Sequence, residues 1–199
     1  MLKIIGKATS INVRKVLWTC AELDLPFERE EWTDAHVPLN PNRLVPVLVD
    51  GELVLWESNT ICRYLCTRHG GEALLPSEAA ARARVEQWMD WQATDLNSAW
   101  RYAFMALVRA SSTHTDSSQV AASAAAWNRL MGILDARLGD TGAYVAGAGF
   151  TLADIVLGLS ANRWLMTPMD RPDYPHVAAW LDRLDTRAGW REHGRNGTP

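Results

Sequence analysis

The stretch from Leu39 to Leu65, LNPNRLVPVLVDGELVLWESNTICRYL, carries the order of elements that decides the fold. Val45 to Val49 and Leu53 to Trp56 read as two short strands. Asp50-Gly51 joins them, a dipeptide that favours a tight hairpin turn. Glu57 to Arg68 then reads as a helix. A proline entering a strand cannot donate to the ladder and often sits at an edge, and a plain turn proline is the blander reading of Pro46. With a cis Val45-Pro46 bond, the backbone N–H and C=O of Val45 face outward. A helix N-terminus follows at Glu57-Ser58, with free N–H groups and partial positive charge. Exposed backbone beside a helix start suits a small peptide with a free carboxylate.

Upstream of this stretch, short strands and helices alternate. Leu2 to Ile5 reads as a buried strand. Asn12 to Leu23 reads as a helix with Val13, Val16, Leu17, Cys20 and Ala21 on one face. Phe27 to Trp32 reads as a second strand. The order β-α-β followed by β-β-α is a thioredoxin-like α/β layout, placed over residues 1–75.

Gly70-Gly71 and Pro76-Ser77 punctuate the chain, and strand signals nearly vanish after them. Residues 76–199 read as an all-α domain. Glu78 to Arg109 is one long helical pattern and Asp116 to Leu138 another. Thr151-Leu-Ala-Asp154 is a capping-box variant, with Phe150 placed as a hydrophobic staple, and it opens a helix to about Met166. Tyr174 to Thr186 gives the last helix. No internal repeat or low-complexity segment interrupts this half.

Composition narrows the functional classes. The net charge is -3 and the pI about 5.9, so no strong field draws in nucleic acid or an anionic membrane surface. No apolar run reaches bilayer length. The first ten residues, MLKIIGKATS, lack the apolar core of a signal peptide, and the reading is a cytoplasmic protein. Three cysteines, Cys20, Cys62 and Cys66, do not make a disulfide framework. Cys62 and Cys66 share one helix face and read as small buried residues, without the CxxC spacing of a redox or metal pair. The five histidines show no metal-ligand spacing, and there is no GxSxG elbow or phosphate loop.

The segments NPNRLVP, ESNTICRYL and FTLADI, in this order and at these separations, resemble the cytosolic glutathione S-transferases, bacterial theta- and beta-like members in particular. The resemblance covers nearly the whole chain. It implies a thioredoxin-like domain that binds glutathione and a helical domain that carries the site for an electrophile. It implies a homodimer with glutathione as co-substrate and no metal. By the same resemblance, Val45 and Pro46 hold the cysteinyl part of glutathione. Glu57 and Ser58 hold the γ-glutamyl end, which presents both an ammonium and a carboxylate. The blander reading has Ser58 capping its own helix, but position 61 is Ile, so no capping box forms there.

The thiol must then be ionised. A free thiol has a pKa near 8.5, so only about 3% is thiolate at pH 7. Lowering that pKa by about two units requires roughly 2.7 kcal/mol of preference for the anion. Hydroxyl or amide donors at a helix start can supply it. Thr9, Ser10 and Asn12 stand in such a loop, ahead of the first helix. Relatives place Ser, Tyr or Cys there, and Ser10 stands four residues before Arg14, where theta-like members carry their serine. Asn12 and Thr9 compete with it, and N-capping is the plain alternative for Ser10 and Asn12.

This chain departs from its relatives at Leu44. They often place a lysine there, so one charge that would meet the glycyl carboxylate is missing. Arg43 and His36 are the substitutes to consider, with solvated surface as the plainer reading of each. Trp100, Arg101 and Phe104 are spaced to line an electrophile pocket between the two halves. Core packing accounts equally well for the aromatics, and an ion pair with Asp95 for Arg101. The resemblance to dimeric relatives also offers Asp95 or Gln92 as a group that reaches the ammonium of a neighbouring subunit's glutathione. The implied activity is glutathione transfer to a hydrophobic electrophile. Glutathione-dependent reduction of disulfides or peroxides, and a non-enzymatic binding protein of the same fold, are the alternatives. Isomerisation of the zeta type is disfavoured, because the loop lacks an SSCSWRVR-like sequence.

Overall fold

A computed structural model describes residues 1–199. Four strands form one mixed sheet in the order β2-β1-β3-β4: β1 (Leu2–Ile5), β2 (Phe27–Glu30), β3 (Val47–Asp50) and β4 (Leu53–Trp56). β1 pairs in parallel with β2, Leu2 opposite Phe27, and antiparallel with β3, Ile5 opposite Val47. The parallel pair needs a crossover, which α1 (Ile11–Glu22) supplies. α2 (Ser58–Arg68) packs beside α1 on the sheet. The hairpin turns one residue later than the sequence implies. Asp50 still pairs with Leu53, and Gly51 takes the positive φ of +60° that opens the loop.

Two strands are shorter than expected. β2 ends at Glu30, and a 3-10 segment, Asp34–Leu39, follows under a Thr33–His36 capping box. β3 starts at Val47 rather than Val45, since Pro46 has no N–H to give a ladder. The Val45-Pro46 peptide bond is cis.

Residues 69–78 lead into the helical half. The long pattern from Glu78 is a nearly continuous helix in three pieces: α3 (Ala79–Trp91), a π turn (Gln92–Leu96) and α4 (Asn97–Leu107). α5 (Ser117–Thr141) starts on an Asp116 cap, whose carboxylate accepts from the Ser118 and Gln119 N–H groups. α6 (Leu152–Met166) is buried on all sides from Leu152 to Trp164 and forms the centre of this half. α7 (Pro175–Leu184) and a closing π turn (Trp190–Gly194) complete it.

Asp154 anchors α6. Its carboxylate accepts from the N–H and hydroxyl of Thr151, from the Val145 N–H and from Trp180 Nε1, all within 3.1 Å. One hydrophobic cluster of 39 buried residues runs through both halves, so they share a core. Trp18 of α1 joins the two halves, with ring contacts to Phe150 at 5.8 Å and to Trp190 at 5.2 Å. The two-part architecture expected from the sequence, an α/β thioredoxin-like half and an all-α half, is the architecture observed.

Candidate functional site

The loop from Gly6 to Ser10 carries the chain from β1 into α1. Gly6 sits at φ +147°, and a Cβ there would come within 2.6 Å of Val13 and 2.9 Å of Val45. Only glycine lets this loop run against the segment that precedes β3. The start of α1 is thereby pressed beside Val45-Pro46.

A small cavity of about 50 Å³ lies at that contact. Asn12, Asn40, Asn42 and Leu44 line it together with Val45, Pro46, Glu57 and Ser58. Neither the N–H nor the C=O of Val45 has a hydrogen-bond partner in the fold. At the far wall, Glu57 is the N-cap of α2 with φ 71°, a left-handed conformation that is costly for a side chain larger than glycine. Its carboxylate does not cap the helix. The first intrahelical bond is Ile61 N–H to Glu57 C=O, so the N–H groups of Ser58, Asn59 and Thr60 are left without acceptors in the chain. Ser58, 6% exposed, sits at the mouth of this helix end. The cavity therefore offers backbone for an added strand and donors for a carboxylate.

Asn40 and Asn42 read as turn residues in the sequence and were not among the expected site groups. Their turn is self-supporting: Asn40 Oδ1 accepts from the Asn42 N–H and its Nδ2 donates to the Leu44 carbonyl. Leu44 lines the cavity and is 66% exposed. Arg43 is not among the lining residues. His36 is engaged elsewhere, its Nδ1 accepting from the Thr33 N–H at 3.0 Å and its Nε2 lying 3.4 Å from Glu30.

A larger cleft, about 480 Å³, opens on the other side of the α1 start. Ser10, Ile11, Trp100, Arg101, Phe104 and Met105 line it, so one end of α1 and one face of α4 meet there. Ser10 is the N-cap of α1 by position, with its carbonyl accepting from Arg14, but its hydroxyl makes no capping bond. The structure thus separates the three hydroxyl and amide candidates. Ser10 faces the cleft, Asn12 faces the small cavity, and Thr9 is exposed and lines neither. A second cleft of similar volume lies beside α7, lined by Trp164, Asp170, Arg171 and Tyr174 among others, and shares no residue with the first.

Arg101 makes no ion pair with Asp95, whose carboxylate accepts from Thr94 instead. Gln92 does not reach outward toward a neighbouring subunit. The π turn carries it inward to 1% exposure, where its Oε1 accepts from Lys15 Nζ at 2.7 Å. The sequence reading also passed over Arg163, which lines the cleft from α6. Its one signal was a basic residue inside the mostly apolar run LADIVLGLSANRWLM. Trp100 and Phe104 both face it, with the guanidinium carbon 4.6 Å and 4.2 Å from their ring centres.

Cys20, Cys62 and Cys66 are buried free thiols. No group of His, Cys, Asp or Glu side chains is arranged to hold a metal ion, and no helix is long and apolar enough to cross a membrane.

Comparison with known proteins gives a consistent result. Residues 4–73 match the family model "Glutathione S-transferase, N-terminal domain", and residues 117–183 match "Glutathione S-transferase, C-terminal domain". The chain is 34% identical to glutathione S-transferase GstB of Escherichia coli, over 96% of this chain and 97% of that protein. It is 32% identical to glutathione S-transferase 3 of Zea mays, over 96% and 92% respectively. A crystal structure of the theta class glutathione S-transferase from Xanthomonas axonopodis pv. citri, with glutathione bound, superposes with a TM-score of 0.91. That protein is 35% identical, with 100% of this chain and 99% of that one covered.

Proposed function

The chain belongs to the glutathione S-transferase family, and from that premise we propose how it acts as a glutathione transferase on its co-substrate. Glutathione lies in extended form along Val45, its cysteinyl backbone paired with the free N–H and C=O of that residue. Its γ-glutamyl carboxylate sits on the open N-terminus of α2 with Ser58, and its ammonium faces Glu57. Its thiol then points past the start of α1. Donors there stabilise the thiolate, and the thiol proton leaves to solvent. The thiolate attacks an electrophilic carbon of a hydrophobic substrate held in the cleft. A sulfur–carbon bond forms as the leaving group departs with its bonding pair. Holding the activated nucleophile next to the electrophile supplies most of the rate.

One observation carries this reading. Two compartments meet at the N-terminus of α1, where Ser10 lines one and Asn12, two residues on, lines the other. A thiol threaded from the small cavity would emerge beside both donors. The placement of Asn12 against Val45 and Ser58 favours a second reading as well. If Asn12 rather than Ser10 is the donor, reduction of disulfides or peroxides at the expense of two glutathione molecules fits the site. A cytoplasmic homodimer completes the proposal. Leu53 and Trp56, half exposed on the edge strand β4, offer apolar surface for the pairing.

The test is the ultraviolet absorbance of bound glutathione thiolate across pH. Thiolate at pH values well below the pKa of the free thiol supports binding with activation. Saturated glutathione with no thiolate at pH 7 overturns the activation scheme.

A further inference from the structure

The 480 Å³ cleft is more basic than a site for neutral hydrophobic compounds requires. Besides Ser10 and its apolar wall, it is lined by Lys7, Arg101, Arg109, His114 and Arg163, and by no acidic residue. None of the lysine or arginine side chains among them forms an ion pair. These cations come from three separate parts of the chain: the β1–α1 loop, α4 with the turn after it, and α6.

Arg163 is the informative one. It is 4% exposed, its Nε has no hydrogen-bond partner, and no acid neutralises it. Its surroundings are aromatic, the guanidinium lying against the T-shaped pair of Trp100 and Phe104. Phe104 also carries the Arg109 guanidinium 5.4 Å from its ring centre, so two guanidinium groups share one ring. Burial, with Arg14 and Arg109 nearby, holds the Arg163 pKa down to about 9, which leaves it charged at neutral pH. A buried, unpaired guanidinium is costly unless an anion joins it. Its fork of donors matches a planar oxyanion.

We propose that the cleft beside Ser10 takes electrophiles that bear a carboxylate, held by Arg163 with Arg109 and Arg101, while the apolar part of the substrate lies against Ile11 and Met105. This rests on the transferase reading above and sharpens its substrate class from hydrophobic to hydrophobic and anionic.

A matched pair of ligands tests it. Dinitrobenzoate and dinitrobenzamide have no leaving group and differ in charge alone. Calorimetry on the full chain at low salt, with glutathione saturating, should give at least tenfold tighter binding of the benzoate, equivalent to about 1.4 kcal/mol. Arg109→Gln, at an exposed position, and Arg163→Met should each erase most of that preference. The first variant keeps the test valid if the second does not fold. The reactive pair, a chlorodinitrobenzoate and its carboxamide, should repeat the preference as enzymatic acceleration over each compound's uncatalysed rate. Chloride is displaced by the glutathione sulfur in both.

Equal or weaker binding of the benzoate overturns the proposal. So does benzoate binding that glutathione abolishes, since the cations would then be holding glutathione's own carboxylate. Failure of the transferase reading is seen separately. Benzoate binding without any glutathione binding would overturn that reading, and the acceptor role of the cleft with it. Glutathione thiolate with no benzoate preference would overturn the anionic substrate class alone.

Discussion

Lys15 of α1 and Gln92 of the π turn are joined across the two halves of the molecule by a 2.7 Å hydrogen bond, with no ion pair to neutralise the lysine. Asn59 at the start of α2 accepts a second, longer bond from the same ammonium and donates in turn to the Met89 carbonyl. Burial pulls the Lys15 pKa down to about 8, although Cys62 and Glu57 pull the other way. An unfolded lysine titrates near 10.4. Between these two values the unfolded chain holds a proton that the native chain has released, so stability from this residue rises with pH. It is present in full above about 10.5 and is lost as pH falls through about 8. The span amounts to about 3 kcal/mol at most. Urea denaturation of the wild type and Lys15→Met at pH 7, 8, 9 and 10 should show the wild type gaining on the variant as pH rises. Parallel pH profiles would mean that Lys15 is solvated in the native state.

The three thiols should be silent in the folded protein. Burial pushes Cys20 to about 12 and Cys62 to about 11, and Cys66 is raised further, by burial and by Cys62. The thiolate is the reactive form, so at pH 8 almost none exists. A thiol-reactive chromogenic disulfide should label none of the three at pH 8 until denaturant is added, and then all three. Fast labelling of one native thiol would place it outside the core.

Asp154 shows what a short motif reveals and what it omits. The spacing of Thr151 and Asp154 marked a helix start, and the Thr151 bonds bear that out. The bonds from Val145 and Trp180 were invisible, because they join residues nine and twenty-six positions away through the fold. The same distinction runs through the site. Val45-Pro46 and Glu57-Ser58 were legible because local backbone chemistry makes them what they are. Arg163 was not, because its meaning depends on Trp100 and Phe104 of another helix. Nor was the π turn, since one widened turn leaves the hydrophobic pattern of Glu78 to Arg109 intact while redirecting Gln92 into the core.

Removing that carboxylate should therefore cost far more than a helix cap. Asp154→Ala leaves the Val145 N–H, the Thr151 N–H and Trp180 Nε1 buried without an acceptor, at about 1–3 kcal/mol each. A loss of at least about 3 kcal/mol is expected, seen as a melting temperature lower by roughly 10 °C. Asp154→Asn should not rescue it fully, since its amide would set two donors among donors. A loss near 1 kcal/mol, that of an ordinary cap, would show that water replaces the carboxylate.

Ser58 and the unpaired N–H groups beside it should hold the γ-glutamyl carboxylate. Ser58→Ala removes one hydroxyl donor to a charged acceptor, worth about 1.5 kcal/mol or more. Glutathione affinity by calorimetry should fall about tenfold or more, while thermal stability changes little, because the hydroxyl takes no part in capping α2. Unchanged affinity would remove Ser58 from the site.

Ser10 and Asn12 can be told apart because they face different compartments. Ser10 lines the cleft with its hydroxyl free of any capping bond, and Asn12 lines the cavity with Val45 and Ser58. If Ser10 donates to the thiolate, Ser10→Ala should leave glutathione affinity nearly intact. The apparent thiol pKa, read from thiolate absorbance, should rise by about one to two units. At pH 7 the conjugation rate should then fall by about tenfold or more, and recover in part at higher pH as the thiol ionises unaided. Asn12→Ala should act instead on affinity, through the cavity it lines, with the thiol pKa held. The reverse pattern, a raised pKa in Asn12→Ala and none in Ser10→Ala, would move the activating role to Asn12. Disulfide and peroxide substrates would then be the ones to test first.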